Sequence, residues 1–190
     1  MICSRLIKSS LLAGLFFWVY WLISAFGSKQ NTSLQVKRFF RIRLGFFVLA
    51  IILFRFLNVQ NYSFQNRVAI NNEAILSVGL IIFLSGLALA VWARIYLGEN
   101  WGMPMTQKQN PVLVMSGPYH YIRHPIYTGV LTAMLGSAIA SSIFWLTILA
   151  IAAIYFIYCA IEEEKTMIKQ FPKDYPAYKN KTKMLIPFVI

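Results

Sequence analysis

Long uncharged apolar runs, separated by short basic segments, dominate the pattern along this chain. The first runs from Ser9 to Gly27, with Arg5 and Lys8 at its head. A basic head, an apolar core and the small-x-small Ala25-Phe26-Gly27 also match a signal peptide. The core is longer than the usual signal core and further runs follow it, so a retained span over 9–27 is expected. The second run is interrupted: Arg43 and Arg55 leave only Leu44 to Phe54 uncharged, about 16 Å of helix. A span over 39–59 forms if both arginines snorkel toward headgroups. Residues 74–93 make a third span, long enough for the hydrocarbon core. From Pro125 to Ile161 there is no charge at all, too much for one helix, and Ser141-Ser142 invites a turn. Two spans over 126–140 and 143–161, forming a helical hairpin, are predicted. Gly129, Ala133, Gly136 and Ala140 recur at helical spacing and are expected to bring the two hairpin helices close together. The fold class is therefore all-α integral membrane, one domain over 1–190 with five transmembrane helices.

Composition agrees with the pattern. Of 190 residues, 58% are hydrophobic and 13% charged, against about 25% charged in soluble domains. Eighteen Lys and Arg oppose six Asp and Glu, a net +12. Nucleic-acid binders of that charge keep a charge-rich soluble body, so no nucleic-acid partner is expected. Here the positive charges fall between apolar runs. Five spans place Lys29 to Arg43, Arg94 to Arg123 and the tail lysines on one side, leaving Arg5, Lys8, Arg55 and Arg67 opposite. The positive-inside rule then puts the N-terminus outside and the C-terminus in the cytoplasm. Cys3 and Cys159 form no disulfide framework and no metal spacing.

The chemistry is expected in the loop 98–125 and in the polar tail 162–190. The loop carries Trp101, Tyr119, Tyr121 and, just past it, Tyr127, too aromatic for disorder. Gly117-Pro118 marks a turn, and Pro125 suits the first turn of a helix. Arg123 and His124 thus sit at the positive end of a helix dipole, which implies an acidic or anionic partner. Glu162-Glu163-Glu164 follows the last span and can meet them. Three successive helical residues cover about 200°, so not all three can face one pocket. Lys165, Lys169 and Lys173 then form a basic stripe beside Met167, Ile168 and Phe171, an amphipathic helix stopped by Pro172. Plainer roles exist for each feature. Arg123 and His124 also suit a membrane-edge anchor, the glutamates a solvated helix end, and the tyrosines an interfacial belt. His120 and His124 have a metal-pair spacing, but Pro125 breaks the helix it needs, and no metal is expected. No Gly-x-Gly-x-x-Gly or P-loop is present.

Leu113-Val114, Ser116-Gly117-Pro118-Tyr119, Arg123-His124-Pro125-Ile126-Tyr127-Thr128-Gly129, Glu162-Glu163-Glu164, Phe171, Tyr175, Tyr178 and Ile186-Pro187 together resemble the isoprenylcysteine carboxyl methyltransferase family. That group of integral membrane methyltransferases includes the related phospholipid N-methyltransferases. The likeness covers Gly98 to Pro187. It implies methyl transfer from S-adenosylmethionine, leaving S-adenosylhomocysteine. It also implies a cofactor pocket on the cytoplasmic side, capped by the loop and C-terminal helix, with a lipophilic substrate entering from the bilayer. Carried over by position, the cofactor contacts are Thr106, Leu113, Val114, Tyr119, His124, Pro125, Tyr127 and Glu163, with Arg123, His124 and Glu163 as catalytic residues. Glu163 suits an ammonium or ribose hydroxyls, Arg123 or His124 a carboxylate, and the tyrosines a sulfonium.

One position departs from the pattern. Members acting on prenylated cysteine carry a substrate-binding arginine four residues before the second glutamate, where this chain has Cys159. A phospholipid or lipid-amine N-methyltransferase is the alternative within the class. A nicotinamide-dependent membrane reductase and a non-enzymatic membrane scaffold are the more distant ones.

Overall fold

The computed structural model describes Tyr20 and residues 72–101, 112–141 and 145–186. The expected spans over 9–27 and 39–59, Thr106, and the turn after Ser141 lie outside those residues, apart from Tyr20, which is helical. The described segments are helical, with no strand among them beyond one isolated parallel bridge between Ile122 and Lys183.

Helix α1 spans Glu73–Leu97. Asn72 caps it, its side chain accepting from the amides of Ala74 and Ile75 at 2.9 and 3.3 Å. It stops at Gly98, whose φ of 52° is left-handed and whose amide donates back to the Arg94 carbonyl. Helix α2, Pro125–Ser141, opens on a proline where no amide is needed. Helix α3 runs Trp145–Gln170 and helix α4 Asp174–Lys181. Among the described residues, two helices are long and apolar enough to cross a membrane, the one containing α1 and α3 itself. Helix α2 is apolar but shorter.

The small-residue stripe of α2 has a different partner from the one the hairpin pattern predicts. It seats on α1, in antiparallel register, rather than on α3. A methyl group added at Gly129 would stand 2.6 Å from the Gly86 carbonyl oxygen and 2.7 Å from the Ala90 amide. One at Gly136 would lie 2.5 Å from the Gly79 carbonyl oxygen, and one at Gly79 would lie 2.9 Å from the Ala140 methyl. The matching stripe on α1 is Gly79, Gly86, Ala90 and Ala93, all buried. Two backbones in such contact gain dispersion energy that lipid cannot supply, because lipid cannot enter the same groove. Helix α3 instead meets α2 through larger side chains, with Tyr127 and Phe156 rings 4.8 Å apart.

The amphipathic segment after Ile161 also differs from expectation. It is the uninterrupted continuation of α3 and not a separate helix. Pro172 follows Phe171 in a turn, and α4 folds back. Lys173 falls in that turn, outside the stripe begun by Lys165 and Lys169.

Gly86→Ala must push backbone against backbone, an overpacking cost of roughly 1–3 kcal/mol. A clear drop in the melting temperature of detergent-solubilised protein is expected. Ala150→Leu, on an exposed face of α3, is expected to leave it unchanged in the same assay.

Candidate active site

The site assembles where the N-terminus of α2, the projecting end of α3 and the segment after α4 meet. Residues 182–186 lie alongside 121–124 in parallel. The Arg123 amide donates to the Lys183 carbonyl at 2.8 Å and the His124 amide to the Met184 carbonyl at 3.0 Å. Thr128 Oγ1 donates to the Leu185 carbonyl at 2.7 Å. Leu185 is thereby pressed onto Tyr127, Cys159 and Ala160 to form a buried apolar cluster. Amides at a helix N-terminus that lack intrahelical partners are thus satisfied by the chain's own tail.

Above that cluster stand five ionisable groups. Arg123 Nε donates to Glu164 Oε1 at 2.6 Å, and Nη1 donates to the carbonyls of Lys179, at 3.2 Å, and Thr182. Those carbonyls close the C-terminal end of α4, where a cation is favoured. Lys179 Nζ lies 2.7 Å from Glu164 Oε2. His124 faces both carboxylates, Nδ1 at 3.4 Å from Glu163 Oε2 and Nε2 at 3.7 Å from Glu164 Oε1. Tyr127 donates its hydroxyl to Glu163 Oε1 at 2.7 Å and lies parallel to the His124 ring.

The three glutamates divide as helix geometry requires. Glu162 points away and pairs with Lys165 at 2.6 Å, as a solvated helix end would. Glu164 is inside, its side chain 4% exposed, while that of Glu163 is 21% exposed. Glu164 is the buried acid of the cluster, and sequence reasoning passed it over. The resemblance selected its neighbour, while the Arg123-His124 pair at a helix N-terminus implied only an acidic or anionic partner.

The other expected residues are placed as follows. Tyr119 is buried on the turn Gly117–His120, and its carbonyl accepts the Tyr178 hydroxyl at 2.6 Å. Pro125 is fully buried, and Leu113 and Val114 are half-buried on the approach to that turn. His120 is exposed, edge-on to Tyr121. Arg123 is not offered outward: its Nε and Nη1 are turned to protein acceptors, which makes it a positioning residue.

Titration follows from these contacts. Burial alone would push the Glu164 carboxyl up, but His124, Lys179 and Arg123 outweigh it and hold it down to about 2. Burial opposes charge on His124, yet Glu163 and Glu164 together raise its pKa above the usual 6.5. Burial, with the Glu163 carboxylate nearby, pushes the Tyr119 hydroxyl well above its ordinary range.

Glu164, depressed from 4.5, contributes stability that is fully present above pH 4.5 and is lost as pH falls toward about 2. His124, raised above 6.5, contributes stability present below pH 6.5 and lost as pH rises through its folded value. The cluster is therefore tightest between about pH 4.5 and 6.5. Melting temperature against pH should show both limbs. Glu164→Gln should remove most of the acid limb and cost roughly 3–5 kcal/mol, because Arg123 is left buried without its carboxylate.

No curated relative matches the chain. The phospholipid methyltransferase family matches residues 74–174, more than half of the sequence, from the start of α1 to the first residue of α4. That stretch includes the α1–α2 stripe, the Arg123-His124 corner and all three glutamates. The chain therefore belongs to the phospholipid methyltransferase family of integral membrane methyltransferases, the group that also holds the isoprenylcysteine carboxyl methyltransferases.

Proposed function

We propose that the chain is an S-adenosylmethionine-dependent methyltransferase acting on a lipophilic acceptor drawn from the bilayer. In this reading it crosses the membrane five times, with the N-terminus outside and the site facing the cytoplasm. The observation that carries the reading is the position of Glu163. It is the more exposed of the two carboxylates in the ionic cluster, with Oε1 held by Tyr127 and Oε2 beside His124.

The donor set suits the cofactor. A fixed carboxylate accepts from an ammonium or from ribose hydroxyls, and the neighbouring aromatic faces of Tyr127 and Tyr119 suit a sulfonium or an adenine. His124 Nε2 is buried and stands 3.7 Å from Glu164 Oε1, just beyond hydrogen-bond distance. Leu113, Val114 and Pro125 provide apolar walls. When bound, the cofactor supplies an electrophilic methyl group on a positively charged sulfur. The chain's residues then orient and enclose. Glu163 holds one end, Tyr119 and Tyr127 border the centre, and the tail pinned by Arg123 excludes water.

Position 159 bears on the acceptor. Cys159 is fully buried between Tyr127, Ala160 and Leu185, an apolar setting that provides no cation for a substrate carboxylate. This supports an amine acceptor over a prenylcysteine carboxylate. An amine must lose a proton on methylation, whereas a carboxylate acceptor has none to lose.

Calorimetric titration with S-adenosylmethionine and S-adenosylhomocysteine should show saturable binding, with none for NADPH. Glu163→Gln should weaken it by about tenfold or more while moving the melting temperature little, the reverse of Glu164→Gln. Radiolabelled methyl transfer to an aminophospholipid, but not to a prenylcysteine, is the expected acceptor result. No cofactor binding by folded protein would sink the proposal.

A further inference from the structure

The segment that closes over the site has an outer face that the ionic cluster does not use. Six lysines and one aspartate fall between residues 165 and 186, so this part of the surface is strongly positive. Two of the lysines already have acids: Lys165 pairs with Glu162, and Lys179 with Glu164. Lys181 and Lys183 are exposed at the end of α4 and just after it. Among the described residues no carboxylate pairs with either of them.

Their height along the spans is fixed by backbone and side-chain contacts. Lys179 Nζ meets Glu164, about 4.5 Å of helix beyond Ile161, where the apolar run of α3 ends. The Lys183 carbonyl accepts the Arg123 amide at 2.8 Å, and the Lys183 amide donates to the Tyr121 carbonyl at 3.5 Å. Lys183 is therefore held beside Arg123, two residues ahead of Pro125, where apolar α2 begins. Two apolar helices end within about a turn of this segment, which places it at the headgroup level of the bilayer around them. Lys169 and Lys173 stand farther out, at the last turn of α3 and in the bend after it. The same segment also exposes apolar groups. Tyr121 is 62% and Ile186 51% exposed, while Ile122 and Leu185, next to them in the chain, are buried. Exposed apolar side chains beside cations suit the bilayer interface, where the former enter the acyl boundary and ammoniums meet lipid phosphates.

We propose that Lys181 and Lys183, flanked by Tyr121 and Ile186, dock on the headgroups of anionic phospholipids and hold residues 182–186 down over the site. The partner is a bilayer surface rather than an acidic protein, because the face lies at headgroup height and sets apolar groups beside basic ones. These residues carry Leu185 onto Tyr127 and Cys159. The charge of the surrounding leaflet thereby bears on how firmly the site is closed. The proposal rests on the membrane reading of the chain and is independent of the acceptor.

The test is hydrogen exchange of the backbone amides of residues 182–186 in the full-length protein. It is placed in nanodiscs of phosphatidylcholine alone or of an equal mixture with phosphatidylglycerol. Exchange should be slower in the anionic discs by roughly fivefold for each docked lysine, and salt near 1 M, where charges are screened beyond about 3 Å, should remove the difference. The amides of 165–170, on α3, should change little. The double substitution Lys181→Gln and Lys183→Gln should abolish the lipid dependence while leaving exchange in phosphatidylcholine as in the wild type. Lys173→Gln should keep the dependence. Equal exchange in the two bilayers would overturn the proposal, as would slowing of the same size at 165–170 or slowing that survives the double substitution. Loss of the dependence in Lys173→Gln would also overturn it, since a diffuse positive field would then explain the effect. A folded protein that does not enter nanodiscs would overturn the membrane reading and this proposal with it.

Discussion

Glu164 carries a full negative charge in a place where burial argues against one, and much of the polar end of the protein is arranged around that cost. A carboxylate so enclosed is tolerable only with close cations and donors on both oxygens. Arg123 takes one oxygen and Lys179 the other, with His124 standing 3.7 Å from the first. These three come from the corner before α2 and from α4. Satisfying a single acid on α3 therefore brings two distant parts of the chain to one point. Arg123 carries the constraint further by binding carbonyls of Lys179 and Thr182, which sets the path of the tail that covers Tyr127 and Cys159. Charge satisfaction at Glu164 and apolar burial of Leu185 are thus two consequences of one geometry.

The membrane half rests on shape instead. Gly79, Gly86 and Ala90 on α1 meet Gly129, Ala133, Gly136 and Ala140 on α2 with nothing larger than a methyl group between the backbones. Because both surfaces are nearly smooth, the alignment depends on where the glycines fall. That alignment fixes the height at which Arg94 and Tyr96 on α1 stand relative to Arg123 and His124 before α2. The turn bearing Tyr119 then fills the gap, resting on Tyr96 through the one position where any side chain would collide.

Much of this was legible in the residues. The uncharged runs marked α1, α2 and the membrane part of α3. Pro125 marked the start of α2, and two cations at a helix N-terminus announced an acidic partner. The identity of that partner was less legible. Adjacent helix positions differ by about 100°, so Glu163 and Glu164 both reach the corner, and only the tilt of α3 decides which one is buried. The partner of the α2 stripe was hidden for a similar reason. A small-residue face states that a backbone will come close but does not say which one, and the loop 98–125 concealed that α1 returns beside α2. The continuation of α3 to Gln170 was obscured by composition. The change from apolar to charged residues after Ile161 resembles a boundary, while the backbone hydrogen bonds continue regardless.

The division between the two glutamates is also a division of roles. An acid that neutralises buried cations cannot also exchange partners with ligands, since each ligand departure would expose an unpaired guanidinium inside the protein. An acid on the rim can do so, provided something else keeps its carboxylate oriented between ligands. Tyr127 and His124 provide that support for Glu163, and Glu164 in turn provides it for His124 and Arg123. The order runs outward from a permanent ion pair, through a histidine that faces both acids, to a carboxylate on the rim. A methyl group moves only when donor and acceptor are aligned. Here that alignment would depend on the one acid that the rest of the cluster holds still.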